Sequence, residues 1–161
     1  MNQYQALIFT GRPQVIVFLF LCGFLGTAFA EQLSPQTKEL VIYHTSDIHG
    51  YILPHEAKWY KDNPRRKIGG FVALAAVLAE EKSPYLLLDS GDFFQGAPEG
   101  TLSKGRSVIT LMNAIGYAAS AIGNHEYDFG EANLIALSKM ANFPLLASNI
   151  QRLSDGAPVD Y

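Results

Sequence analysis

Apolar and polar positions along the chain fall into short blocks, and from residue 40 onward those blocks predict alternating strands and helices. The runs at 40–44 and 85–89 are short, rich in Leu, Val and Ile, and bounded by polar or Pro residues, as strands are. Between them Phe71, Leu74, Ala75 and Leu78 recur at helical spacing, which predicts a helix over 69–82. A helix over 107–115, a strand at 118–122, a helix over 131–140 and a strand at 144–148 complete the order. This β-α-β-α-β-α-β order is that of an α/β protein, a parallel or mostly parallel sheet with helices on its faces. The stretch between Ile48 and Lys67 has no clear pattern, and the chain carries no internal repeat or low-complexity tract.

The first thirty residues follow a different rule. Arg12 is their only charge, the run from Pro13 to Ala30 is apolar throughout, and it ends in Ala28-Phe29-Ala30 before Glu31. That small-x-small ending predicts a signal peptide over 1–30, cleaved after Ala30, with an uncleaved anchor as the alternative. A lipid-modified Cys22 is disfavoured because bulky Leu21 stands where a small residue would be wanted. The expectation is export to a bacterial periplasm or cell surface, with residues 31–161 as the mature part and no stable membrane insertion once the leader is removed.

Composition narrows the chemistry. At 161 residues the chain is large enough for about one domain with its own core. Its single cysteine, Cys22, lies in the leader, so the mature part offers neither disulfides nor thiolate ligands, and any metal must be held by nitrogen and oxygen. The formal charge of −3 falls by one to −4 when Arg12 departs with the leader, which argues against nucleic acid or an anionic membrane as a partner. Arg65-Arg66-Lys67, the one basic cluster, reads as a solvated loop.

In such sheets, polar residues just past the carboxyl ends of the strands converge on one edge where ligands bind. After the first predicted strand come Asp47-Ile48-His49-Gly50; taken as an extended segment, it would turn Asp47 and His49 to the same side. After the second comes Asp89-Ser90-Gly91-Asp92, where Gly91 permits a turn from which Asp92 projects. After the third comes Gly123-Asn124-His125-Glu126-Tyr127-Asp128, on a strand-to-helix turn. Taken singly, each has an ordinary explanation: an Asx-turn, loop acids capping the next element, an exposed histidine. Taken together, at three successive strand ends in a chain with four histidines, they point to a metal site. Two divalent ions about 3.5–4 Å apart share a carboxylate and clamp a phosphate during in-line displacement, and Asp92 suits that bridge. Asn124 adds a ligand without adding charge, and His125 is placed to donate a proton or hold a phosphate oxygen.

The segments Tyr43-His44-Thr45-Ser46-Asp47-Ile48-His49-Gly50, Leu86-Leu87-Leu88-Asp89-Ser90-Gly91-Asp92-Phe93-Phe94-Gln95-Gly96 and Gly123-Asn124-His125-Glu126-Tyr127-Asp128-Phe129-Gly130 resemble the first three motifs of the calcineurin-like metallophosphoesterases. Within that superfamily they most resemble the exported bacterial 5'-nucleotidase branch, over about residues 40–150. The resemblance implies that Asp47 and His49 bind a first metal, Asp92 bridges both ions and Asn124 binds the second. His125 is implied as general acid or transition-state stabiliser, oriented by Asp128, with Asn124 and His125 at the substrate phosphate. It also implies two divalent ions drawn from zinc, manganese, cobalt or iron, and a nucleotide or other small phosphate ester as substrate. Ser46 stands where Asn is usual and Ala118 where Asp often follows Gly-Tyr, departures that bear on sub-branch rather than class.

Counting ligands leaves the second ion with only Asp92 and Asn124, fewer than a transition-metal site wants. His44, three residues before Asp47, tends to the opposite face, and His55 lies in the unpatterned loop. In the family the missing ligands come from later histidine motifs, including a Gly-His-x-His, and the nucleoside pocket from a separate C-terminal domain. The expectation is therefore the N-terminal part of a larger exported hydrolase of nucleotide phosphate monoesters. The alternatives are a branch acting on cyclic nucleotides, nucleotide sugars or thiosulfate conjugates, and an inactive exported fragment with an incomplete metal site.

Overall fold

The computed structural model describes residues 5–8 and 38–159. Its elements run β1 (Gln5–Ile8), β2 (Val41–Thr45), β3 (His55–Glu56), β4 (Lys67–Ile68), α1 (Gly70–Glu80), β5 (Tyr85–Asp89), α2 (Pro98–Thr101), α3 (Arg106–Ile115), β6 (Ala119–Ala121), a 3-10 turn at His125–Tyr127, α4 (Glu131–Met140) and β7 (Leu145–Leu146). The main sheet has the order β1-β2-β5-β6-β7. Pairing from β2 through β7 is parallel, and β1 joins β2 antiparallel at the edge.

The three longer helices form where apolar spacing supplies a buried stripe, and a glycine precedes each of them: Gly69, Gly105 and Gly130. In α1 Phe71, Leu74 and Leu78 are buried, in α3 Val108, Ile109 and Met112, and in α4 Leu134 and Leu137. Gly116 closes α3 in the left-handed conformation at φ 82°, its N–H bonding the Met112 carbonyl, a termination that residues with a Cβ adopt at a penalty. These stripes meet Leu87 and Leu145 in one core, with Tyr43 packed against it, so α1, α3 and α4 share one side of the sheet. On the other side Leu86 and Leu146 remain 40% and 55% exposed.

The parallel register aligns the strand ends on which the site is built. Thr45 stands opposite Asp89, and Asp89 opposite Ser120. The residues that follow β2, β5 and β6 therefore leave the sheet side by side.

The stretch expected to lack pattern is in part organised. His55 pairs with Ile68 and Glu56 with Lys67, so a short antiparallel ladder closes the excursion from the sheet. Two residue pairs are too few for periodicity to reveal. The basic residues Arg65, Arg66 and Lys67 are exposed there, with Arg66 over the Tyr60 ring. Most of the expected signal peptide lies outside the described residues; within it only β1 is described. Among the described residues no helix is long and apolar enough to cross a membrane.

Candidate metal centre

Three loops leave adjacent strand ends, and the backbones of the first two are bonded to one another. The Asp47 N–H donates to the Gly91 carbonyl, His49 N–H to Asp92 and Gly50 N–H to Phe93. The loop after β2 thus runs alongside the loop after β5. It is not extended: Asp47 and His49 both have positive φ, 53° and 48°, and so does Asp92 at 55°. The extended-strand reason for Asp47 and His49 facing the same way is therefore corrected. Both project to one side because two left-handed residues curl the segment against the β5 loop. Asp, Asn and His tolerate that region better than most residues.

The side chains converge. Asp47, His49 and Asp92 each offer a donor atom, and the three donor atoms lie within 4.8 Å of one another. His49 Nε2 is 3.7 Å from Asp47 Oδ1. His49 Nδ1 lies 2.7 Å from the Gln95 carbonyl, so it carries the proton and leaves Nε2 with a free lone pair, the tautomer a metal requires. Asp92 Oδ1 accepts the backbone N–H of His125 at 2.9 Å. Ser46 donates its hydroxyl to Asp47 Oδ2. One imidazole and two carboxylates so arranged fit a single divalent ion of hard or borderline character.

The third loop brings a second imidazole to the same place. The His125 ring stands edge-on to His49 with centroids 5.2 Å apart. Its Nδ1 lies 2.7 Å from Asp128 Oδ2, and that hydrogen bond is the main reason its pKa is raised. Asn124 is exposed on the same turn, immediately before His125. Neither His44 nor His55 joins the donor group: His44 Nε2 lies 2.6 Å from Ser90 Oγ, and His55 is packed against Tyr51.

Two glycines let the second and third loops approach. A Cβ at Gly91 would lie 2.5 Å from Gly123 N, and one at Gly123 would lie 2.2 Å from Asp92 Oδ1. Gly91 also has φ 94°, so its identity is required twice over.

Two buried acids, Asp89 and Glu126, to neither of which the sequence assigns a site role, lie beside the donors. Asp89, at the end of β5, accepts the Thr45 hydroxyl at 2.6 Å, the Ser120 hydroxyl at 2.9 Å and the Gly91 N–H at 2.8 Å. Glu126, wholly buried, accepts the N–H groups of Asp92 at 2.8 Å, Phe93 at 3.0 Å and Gly123 at 2.7 Å. Burial raises the pKa of both, against the donors, which lower it. The partners of Glu126 in the β5 loop are 33 and 34 residues away, so local pattern carries no sign of them.

A parallel sheet whose strand ends gather two carboxylates, an imidazole and an Asp-oriented histidine is the arrangement of a metal-dependent phosphoesterase. The chain belongs to the calcineurin-like phosphoesterase family, which it matches over residues 40–156. It is 42% identical to the 5'-nucleotidase of Bos taurus over 118 residues, covering 70% of this chain and 21% of that protein. With the NAD 5'-nucleotidase of Haemophilus influenzae it shares 34% identity over 138 residues, 81% of this chain and 23% of the relative. Among solved structures, a 5'-nucleotidase precursor from Thermus thermophilus superposes with a TM-score of 0.60 at 32% identity, covering 67% of this chain and 22% of that one. The chain thus spans less than a quarter of the length of these relatives.

Proposed function

We propose that this chain supplies the amino-terminal part, residues 31–161, of the catalytic domain of an exported enzyme that hydrolyses nucleotide phosphate monoesters at a dinuclear metal site. The observation that carries the reading is the convergence of Asp47, His49 and Asp92 donors within 4.8 Å, with His125 packed against His49. Asp47, His49 and Asp92 would hold one ion; Asp92 and Asn124 would hold part of the shell of a second. The ions, of zinc, manganese, cobalt or iron type, would supply Lewis acidity and an activated water.

The protein's own groups have distinct tasks. Gln95, through its carbonyl, fixes the His49 ring so that Nε2 faces the donors. The His125 N–H orients Asp92 by occupying one carboxylate oxygen. Asp128 fixes the His125 tautomer in the same way and favours the protonated ring, leaving Nε2–H to donate to a phosphate oxygen or to the departing alkoxide. Asn124 adds an amide oxygen and no charge, which preserves attraction for an anionic substrate.

Phosphate release from AMP by the complete reading frame, in the presence of Mn²⁺ or Zn²⁺, tests the proposal. Release is expected to depend on metal and to fall about 10²- to 10⁴-fold in His125→Ala. Metal bound without phosphate release from AMP or from other nucleoside monophosphates would overturn it. Export predicts a mature amino terminus at Glu31, which mass spectrometry of the secreted fraction reads directly.

A further inference from the structure

We propose that Glu126 is a positioning residue: its buried carboxylate holds the Asp92 loop against the Asn124–His125 turn and so sets where the Asp92 carboxylate stands. The inference rests on the reading of Asp92 as a metal ligand. The N–H groups of Asp92 and Gly123 both point at Glu126 Oε2, at 2.8 and 2.7 Å, while Oε1 takes the N–H of Phe93 at 3.0 Å. Two peptide dipoles aimed at one point repel unless an acceptor lies between them, and here the acceptor is the wholly buried Glu126. The contact is also reciprocal. Glu126 reaches from the turn to the Asp92 backbone, and the His125 backbone N–H reaches the Asp92 side chain at 2.9 Å. This ring of bonds closes over Gly91 and Gly123, whose missing side chains permit the approach. Loss of the Glu126 charge would therefore let the two loops part, and with them Asp92 from Asn124 and His125.

The test is Co²⁺ uptake by the purified full chain, followed by visible absorption, beside urea unfolding of the same samples. Glu126→Gln keeps the size of the side chain but turns an amide donor toward one of three N–H donors. Glu126→Asp keeps the charge and withdraws it by one methylene. Leu78→Ala, a core truncation in α1, is the control for general loss of stability. Glu126→Gln is expected to weaken Co²⁺ binding about 10- to 100-fold and to alter the absorption band, with Glu126→Asp intermediate. Leu78→Ala is expected to bind as the parent does once folded.

Unchanged affinity in both Glu126 variants overturns the proposal. So does an affinity that tracks stability alone, falling as far in Leu78→Ala at equal loss of stability. Should Glu126→Gln fail to fold, the same criteria apply to Glu126→Asp. Undiminished Co²⁺ binding in the variants with nucleotide hydrolysis intact would remove the role of Glu126 and leave the hydrolase reading standing. Glu126-dependent Co²⁺ binding by a protein inert toward every nucleotide would do the reverse, and a parent chain that takes up no Co²⁺ would overturn both.

Discussion

Asp89 and Glu126 are both buried acids, 5% and 0% exposed, yet they are held in opposite ways. Asp89 lies at the ends of three adjacent strands and draws two of its donors from hydroxyls. Those hydroxyls have other partners: Thr45 Oγ1 also meets Tyr117 Oη at 2.8 Å, and Ser120 Oγ also reaches the Ala121 carbonyl at 2.9 Å. Glu126 draws all three donors from peptide N–H groups, which cannot rotate away. A hydroxyl that loses its acceptor turns to another, whereas a buried peptide N–H that loses one stays unsatisfied at about 1–3 kcal/mol. The acid beneath the sheet edge should therefore tolerate neutralisation, and the acid between the loops should not.

The largest way to break this contrast is to part the loops sterically. Gly123→Ala places a methyl group on Asp92 Oδ1 and should lower Co²⁺ affinity about 100-fold, at the upper end of what supporting residues contribute, read by absorption titration. Replacing each acid by Leu comes next. Glu126→Leu strands three peptide N–H groups and should lose about 3 kcal/mol or more in urea unfolding, with Asp89→Leu losing clearly less.

Smaller still is the effect of pH through Asp89. Burial raises its carboxyl above the ordinary 3.8, so the folded chain holds the proton more tightly than the unfolded one. The stability this provides is full below the unfolded value and is lost as pH rises through the folded value. Asp89→Asn should remove that part of the decline, seen as a flatter urea midpoint from about pH 4 upward. Smallest is Thr45→Val, which deletes one hydroxyl and should lose about 1 kcal/mol with Co²⁺ binding unchanged.

Much of the fold was legible because each element obeys a local rule. The strand at 85–89 and the helix at 131–140 have the bounds expected, β2 is shifted by one residue at both ends, and α3 starts one residue early. What escaped was short or non-local. The four residues of α2, the two-residue strands β3 and β4 and the 3-10 turn are too brief for periodicity, although Pro98 at the first position of α2 was a usable start signal. The candidate site divides in the same manner. Asp47, His49 and Asp92 are marked by residue type at strand ends, and the structure brings their donors together. The local conformation of Asp47 and His49 was misjudged, because the alternation rule holds only while a segment is extended and both are left-handed. Glu126 and Asp89 escaped for another reason: a buried acid is told from a surface acid only by what closes over it.

The left-handed backbone at Asp47, His49 and Asp92 restricts which residues those places accept, apart from any demand made by an ion. Aspartate, asparagine and histidine are at once the common oxygen and nitrogen donors and the side chains that sit most readily at positive φ. Glutamate or threonine would be disfavoured twice, for reach and for torsion. Asparagine exchanges at Asp47 and Asp92 are the cleaner probes, since they change the donor while leaving the chain's path intact.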